Sequence, residues 1–106
     1  MNMKEYSVIL DNPAEEDMLK LRRYISKTLR EPVIAKRIYS SIKAEILSLD
    51  HNPLRFPVVR DELYASLGIR CMPVENYLTF YSVDQTAKEV HILRVLYNRR
   101  EWQTLI

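Results

Sequence analysis

Glycine, cysteine and histidine are scarce in this sequence, and each shortage removes a class of function. One glycine in 106 residues, Gly68, leaves no glycine-rich loop whose backbone could wrap phosphates. Nucleotide-cofactor enzymes of the Walker and dinucleotide types are therefore excluded. A single cysteine, Cys71, permits no intrachain disulfide, and the two histidines, His51 and His91, form no cluster of zinc-ligand spacing. No apolar run approaches the ~18 residues that a membrane-spanning helix needs. The N-terminus has no basic start leading into an apolar export segment. The expectation is a cytoplasmic protein with a reduced thiol, no metal, no small-molecule cofactor and no membrane partner. Strong single-sign charge is also missing: 16 Lys and Arg stand against 14 Asp and Glu, for a net charge of +2. A dedicated duplex-binding domain would carry a larger positive field.

What is present is enough chain for one domain, residues 1–106, and a hydrophobic period that changes along it. Residues 6–10, Tyr-Ser-Val-Ile-Leu, form a short, partly β-branched run ahead of Asp11-Asn12-Pro13 and read as a strand. Asn12 can cap a helix, Pro13 suits its first turn, and Glu15 stands where a capping carboxylate is wanted. Ala14, Met18, Leu21, Ile25 and Leu29 then step by three and four, which is the buried stripe of an amphipathic helix. Pro32 opens a second helix with the stripe Ala35, Ile38, Ile42, Ile46 and Leu49, and Pro53 closes it. So short a link makes the two helices an antiparallel hairpin with both stripes on one sheet.

Between residues 53 and 67 the period is lost, and an ordered loop with one helical turn over 61–65 is expected. Alternation returns in three strands, 69–74, 77–83 and 89–97, joined by hairpin-length links. The fold class is α+β: an N-terminal strand, a helical hairpin, and a three-stranded antiparallel meander that completes a four-stranded sheet, followed by a short C-terminal helix. Strict alternation in the last strand sets His91, Leu93, Val95 and Tyr97 against Val90, Ile92, Arg94 and Leu96. Both faces are apolar, so the face away from the helices needs a cover, either residues 99–106 or a partner.

Arginines and aromatics gather at the end of that strand: Arg94, Tyr97, Arg99, Arg100 and Trp102, with Arg70 on the preceding hairpin. These residue types suit phosphate and base contact as well as protein hot spots. A structural role is open for Arg94, paired with Glu75 or Glu101, and for Trp102 as the pin of the terminal helix. Metal-free RNA cleavage would need an acid, a base and cations around the developing charge. The four arginines supply cations, but His91 reads first as a structural strand histidine. His51 reads as a partner of a helix C-terminus, and Cys71 as a core thiol.

The run Gly68-Ile-Arg-Cys-Met-Pro-Val-Glu-Asn-Tyr-Leu-Thr-Phe-Tyr-Ser-Val83, with the ending Arg94-Val-Leu-Tyr-Asn-Arg-Arg-Glu-Trp102, resembles the RelE/ParE superfamily of bacterial type II toxins. It is most similar to members described as plasmid-stabilisation proteins. The resemblance covers the whole chain. It implies a growth-inhibiting toxin held inactive by a cognate antitoxin that wraps its sheet and helices, acting in one of two ways. RelE-like members cleave mRNA on the ribosome with a basic constellation; ParE-like members inhibit DNA gyrase. This sequence has Leu78 where the nucleases carry an arginine and Leu96 where some carry a histidine. Tyr97, Arg99 and Arg100 match, and Arg70 falls where ParE-like members have an arginine.

The resemblance therefore favours gyrase inhibition by protein binding, with Arg70, Tyr97, Arg99, Arg100 and Trp102 as contacts. The alternative is a ribosome-dependent mRNA endonuclease. In it Arg70, Arg94, Arg99 and Arg100 would stabilise phosphate charge, and Tyr97 or, less readily, His91 would move a proton. A further alternative is a non-toxic partner-binding module.

Overall fold

A computed structural model describes residues 5–28, 32–97 and 102–106, and the side chains of all of these except 25–28. The elements follow in the order β1 (Ser7–Leu10), α1 (Asn12–Thr28), α2 (Pro32–Leu47), 3-10 turns at Ser48–Asp50 and Pro53–Arg55, α3 (Glu62–Ser66), β2 (Arg70–Val74), β3 (Tyr77–Asp84) and β4 (Glu89–Tyr97). A last 3-10 turn, Trp102–Thr104, stands where a short α-helix was expected. Helix α1 also begins one residue earlier than its cap signal predicts. The Glu15 N–H donates to the Asp11 carbonyl at 3.0 Å, so Asp11, rather than Asn12, occupies the cap position.

The sheet order is β1-β4-β3-β2. Strands β2, β3 and β4 form the expected antiparallel meander, while β1 pairs in parallel with β4. The parallel pair follows from the connection: the two helices and the meander intervene, and such a crossover returns the chain in the same direction. Strand β4 is thus internal, flanked on both sides, which accounts for its apolar character on both faces. None of the described helices is long and apolar enough to cross a membrane.

On one face the two helical stripes meet the sheet. Ala14, Met18 and Leu21 of α1 and Ala35, Ile42 and Ile46 of α2 pack with Leu49, Met72, Val74, Tyr81, Val90, Ile92 and Val95. Each fully buried Ile contributes about 1.5–3 kcal/mol over its exposed state. The stripe positions Ile25 (as a side chain) and Leu29 lie outside the described residues. On the other face Val59, Ile69, Phe80 and Leu96 form a smaller core, and Tyr64, Leu78, Leu93, Trp102 and Ile106 pack against it. The cover the sequence required therefore comes from this chain: its C-terminal turn, together with the segment around α3.

Strand β4 does not alternate strictly. Tyr81 pairs with Ile92 but Phe80 with Arg94, so Leu93 is an extra residue and the strand carries a β-bulge. Before it, Val90 and Ile92 face the helices; after it, Val95 does, and Leu96 points to the second core. The expected grouping of Val95 with His91, and of Arg94 with Ile92, is corrected accordingly.

Gly68 ends α3 with φ +77°. Its N–H donates to Ala65 O at 2.9 Å, and Ile69 N–H to Tyr64 O at 3.1 Å. This left-handed helix ending is the conformation that glycine adopts without a side-chain penalty.

Candidate target-binding surface

Downstream of the bulge, β4 runs past the end of β1, and its backbone on that side loses a strand partner. Asp17, in the second turn of α1, supplies one. Its carboxylate accepts from Val95 N–H at 3.0 Å and from Arg94 Nε at 2.7 Å and Nη2 at 2.8 Å. The Asp17 side chain is only 7% exposed and that of Arg94 21%, so this is a fork-on-fork ion pair largely out of water. It holds the guanidinium charge firmly, and the hydrogen bond to Asp17 raises the Arg94 pKa further. A third guanidinium N–H reaches the Leu105 carbonyl, tying the C-terminal segment to the same point. Arg94 is therefore not paired with Glu75, which instead takes Arg37 at 2.9 Å.

Arg70 lies on the helix-facing side of β2, opposite Tyr81. Its Nη1 donates to the carbonyls of Leu54 at 3.2 Å and Phe56 at 2.5 Å. Nearby, the buried Tyr81 hydroxyl donates to Pro53 O at 2.7 Å. Arg55 reinforces the same stretch by donating to the His51 carbonyl at 2.7 Å and to the Ser48 hydroxyl at 2.7 Å. Arg70 and Tyr81 thus carry the backbone hydrogen bonds of a loop that has no helix or sheet to satisfy them.

Tyr97, the last residue of β4, is 48% exposed. Because the bulge has shifted the alternation, it stands beside its cross-strand partner Tyr77, edge to face, with ring centroids 5.4 Å apart. Burial, and then the nearby phenols of Tyr24 and Tyr97, push the Tyr77 hydroxyl above its ordinary pKa. Trp102 points elsewhere: it covers Phe80 at 4.8 Å and Tyr64 at 5.5 Å on the second face. The Tyr64 hydroxyl bonds Gln103 O at 2.8 Å. Arg99 and Arg100 lie outside the described residues. Of the sequence candidates, Tyr97 is the one displayed at the end of β4, while Arg70, Arg94 and Trp102 make internal contacts.

His91 sits at the opposite end of β4 from Tyr97. Its Nδ1 is 2.9 Å from Asp11 and its Nε2 3.1 Å from Glu89. Hydrogen bonds to Asp11 and then Glu89 raise its pKa. His51 pairs with its neighbour Asp50 at 2.7 Å. Cys71 is half-buried on the second face, and burial pushes its pKa up to about 11. Among the described residues no three His, Cys, Asp or Glu side chains converge on a common metal position.

A groove of about 700 Å3 lies on the helical hairpin, lined by Arg22, Val33, Lys36, Tyr39 and Lys43 among others. Among the described residues that line it, the charged ones are basic. Sequence reasoning did not single out Asp17, Tyr24 or Tyr77. The available signal for Asp17 was an acid set beside Met18 in an otherwise apolar stripe.

The family model described as the ParE toxin of type II toxin-antitoxin systems, parDE, matches residues 8–102. Among solved structures, the chain is similar to the chromosomal ParDE toxin-antitoxin system from P. aeruginosa, with TM-score 0.68 and 19% identity over 90% of this chain and 98% of that one. It is also similar to the toxin-antitoxin complex RelBE2 from Mycobacterium tuberculosis, with TM-score 0.64 and 25% identity over 88% and 98%. A third similarity is to the archaeal RelE-RelB complex from Pyrococcus horikoshii OT3, with TM-score 0.61 and 18% identity over 91% and 98%. No curated protein matches the sequence significantly.

Proposed function

The chain belongs to the ParE toxin family of type II toxin-antitoxin systems, and from that premise we propose that it arrests growth by binding a protein target, DNA gyrase, without cleaving RNA. The observation that carries the reading is how Arg70 and Arg94 are used. A phosphorane-like transition state needs cations aimed at the reacting phosphate. Here the Arg94 fork is closed on Asp17 and Leu105 O, and Arg70 donates to two loop carbonyls. His91, a candidate proton carrier, is held between Asp11 and Glu89 at the far end of the strand from Tyr97.

The partner that neutralises it is a cognate antitoxin, as in the toxin-antitoxin complexes that it resembles. The basic groove on the helical hairpin, with Arg22, Lys36 and Lys43, suits an acidic segment of that antitoxin.

Two assays run in parallel test the target. Purified protein is added to gyrase with relaxed plasmid, and separately to ribosomes programmed with mRNA. Inhibited supercoiling with intact mRNA is expected. Cleavage of mRNA with supercoiling untouched would overturn the reading.

A further inference from the structure

Helix α1 runs along β4 from the bulge toward the strand's end. Asp17 touches Arg94 and Val95, and Tyr24 stands seven positions later, two turns on along the same helical stripe. That places Tyr24 over the end of β4, where Tyr97 meets Tyr77 ring to ring at 5.4 Å. Tyr24 is 52% exposed and Tyr97 48%. Three tyrosines from α1, β3 and β4 therefore share one end of the molecule, Tyr24 and Tyr97 about half in water and Tyr77 more deeply set. The effect of the Tyr24 and Tyr97 phenols on Tyr77 agrees with their proximity.

Tyr77 packs against the main core, whereas Tyr24 and Tyr97 stand largely outside it. Tyrosines present a large, stiff, amphipathic contact area at low entropic cost, and they are enriched at the energetic centres of interfaces. The platform here is rigid because the Asp17–Arg94 fork locks α1 to β4 directly upstream. Among the described residues at its rim, Lys20, one turn before Tyr24, is exposed, and the acid Glu75 on the β2–β3 turn is neutralised by Arg37.

We propose that Tyr24 and Tyr77 join Tyr97 in a single contact surface that docks the toxin's protein target through a patch carrying carboxylates. This rests on the protein-target reading given above. Phenol hydroxyls and lysine ammonium groups donate hydrogen bonds to carboxylates, and the ring faces bury apolar surface around them. The basic groove lined by Arg22, Lys36 and Lys43 is built from different residues, so antitoxin and target contacts are separable.

The test uses Tyr24→Ala and Lys20→Glu, both exposed side chains of α1, with circular dichroism to confirm the fold. Three quantities are read: growth arrest on induction, inhibition of supercoiling, and affinity for the antitoxin. Tyr24→Ala should weaken growth arrest and gyrase inhibition together, the latter by about thirtyfold in half-inhibiting concentration, as expected of a central aromatic. Antitoxin affinity should stay within about twofold. Lys20→Glu should weaken inhibition about fivefold, and more so at low salt.

Retained growth arrest in folded Tyr24→Ala would overturn the surface, and so would a parallel loss of antitoxin affinity. An unaffected Lys20→Glu would overturn the carboxylate partner. If wild-type protein arrests growth but leaves gyrase untouched, while Tyr24→Ala still loses arrest, the surface stands and the gyrase reading fails. Cleavage of mRNA that Tyr24→Ala abolishes would assign the surface to RNA and overturn the protein partner.

Discussion

Replacing Asp17 with alanine removes one carboxylate and three hydrogen bonds, at 2.7, 2.8 and 3.0 Å. What remains is worse than an empty site. Arg94, 21% exposed, keeps its charge with the Leu105 carbonyl as its remaining acceptor among the described residues, and the Val95 N–H loses its acceptor. Breaking a buried ion pair by removing one partner costs about 3–5 kcal/mol. Partial exposure lets water reach one edge of the guanidinium, so the loss belongs near the lower end, about 3 kcal/mol. Set against a total of roughly 5–15 kcal/mol for a domain of this kind, that is a large fraction. It corresponds to a fall in Tm of about 12–20 °C.

Urea unfolding followed by circular dichroism measures it, with an unchanged m-value certifying that the unfolded state is unaltered. The double variant Asp17→Ala with Arg94→Met should be more stable than Asp17→Ala alone, because it removes the stranded charge. A loss below about 1 kcal/mol in Asp17→Ala, or strict additivity of the two substitutions within about 0.5 kcal/mol, would refute the reasoning.

Four further outcomes are expected. Thr79 is fully buried and its hydroxyl has no hydrogen-bond partner among the described residues, so Thr79→Val should raise unfolding stability by about 1 kcal/mol; a clear loss would mean that the hydroxyl is satisfied. Gly68→Ala meets nothing within 4 Å yet sits at φ +77°, and should lose about 1–2 kcal/mol from backbone strain alone. The pKa of His91 is raised by Asp11 and Glu89. Its contribution to stability is therefore complete below the unfolded-state pKa of about 6.5 and is lost as pH rises through the folded-state value. His91→Gln should flatten that part of a urea-midpoint profile between pH 6 and 9, and an unchanged profile would remove His91 as the cause. Cys71, with its pKa near 11, should react with a thiol reagent at pH 8 on the order of a hundredfold more slowly than free cysteine, and reaction at the free rate would contradict its burial.

Much of this architecture is legible in the sequence because local rules and global packing agree. The stripe Ala35, Ile42, Ile46 and Leu49 is buried as its spacing requires, and Gly68, just ahead of the first alternating strand of the meander, takes a positive φ. The bulge at Leu93 was not legible. Leu93, Val95 and Leu96 are all apolar, so shifting the alternation leaves no mark in the pattern, and only the register against β3 reveals it. The partner of Arg94 was hidden for a different reason. Glu75 and Glu101 are nearer in sequence, whereas Asp17 lies 77 positions away and meets Arg94 only because β1 delivers α1 to the edge of β4. The tyrosine surface follows from the same two facts, since neither the ring pair of Tyr77 and Tyr97 nor the approach of Tyr24 exists without the bulge and the crossover.

The internal position of β4 governs how the chain can fold as it is made. β4 is the last strand to be synthesised, yet it joins β1 to β3, and its pairing with β1 spans about eighty residues. Before β4 has emerged, the growing chain has the helical hairpin and the β2–β3 pair but not the strand that joins them to β1, which has no neighbour. The sheet then closes in one late, long-range step, after the loop-closure entropy of nearly the whole domain has been met. A nascent chain of this topology lacks the Tyr77–Tyr97 ring pair until β4 has joined β3.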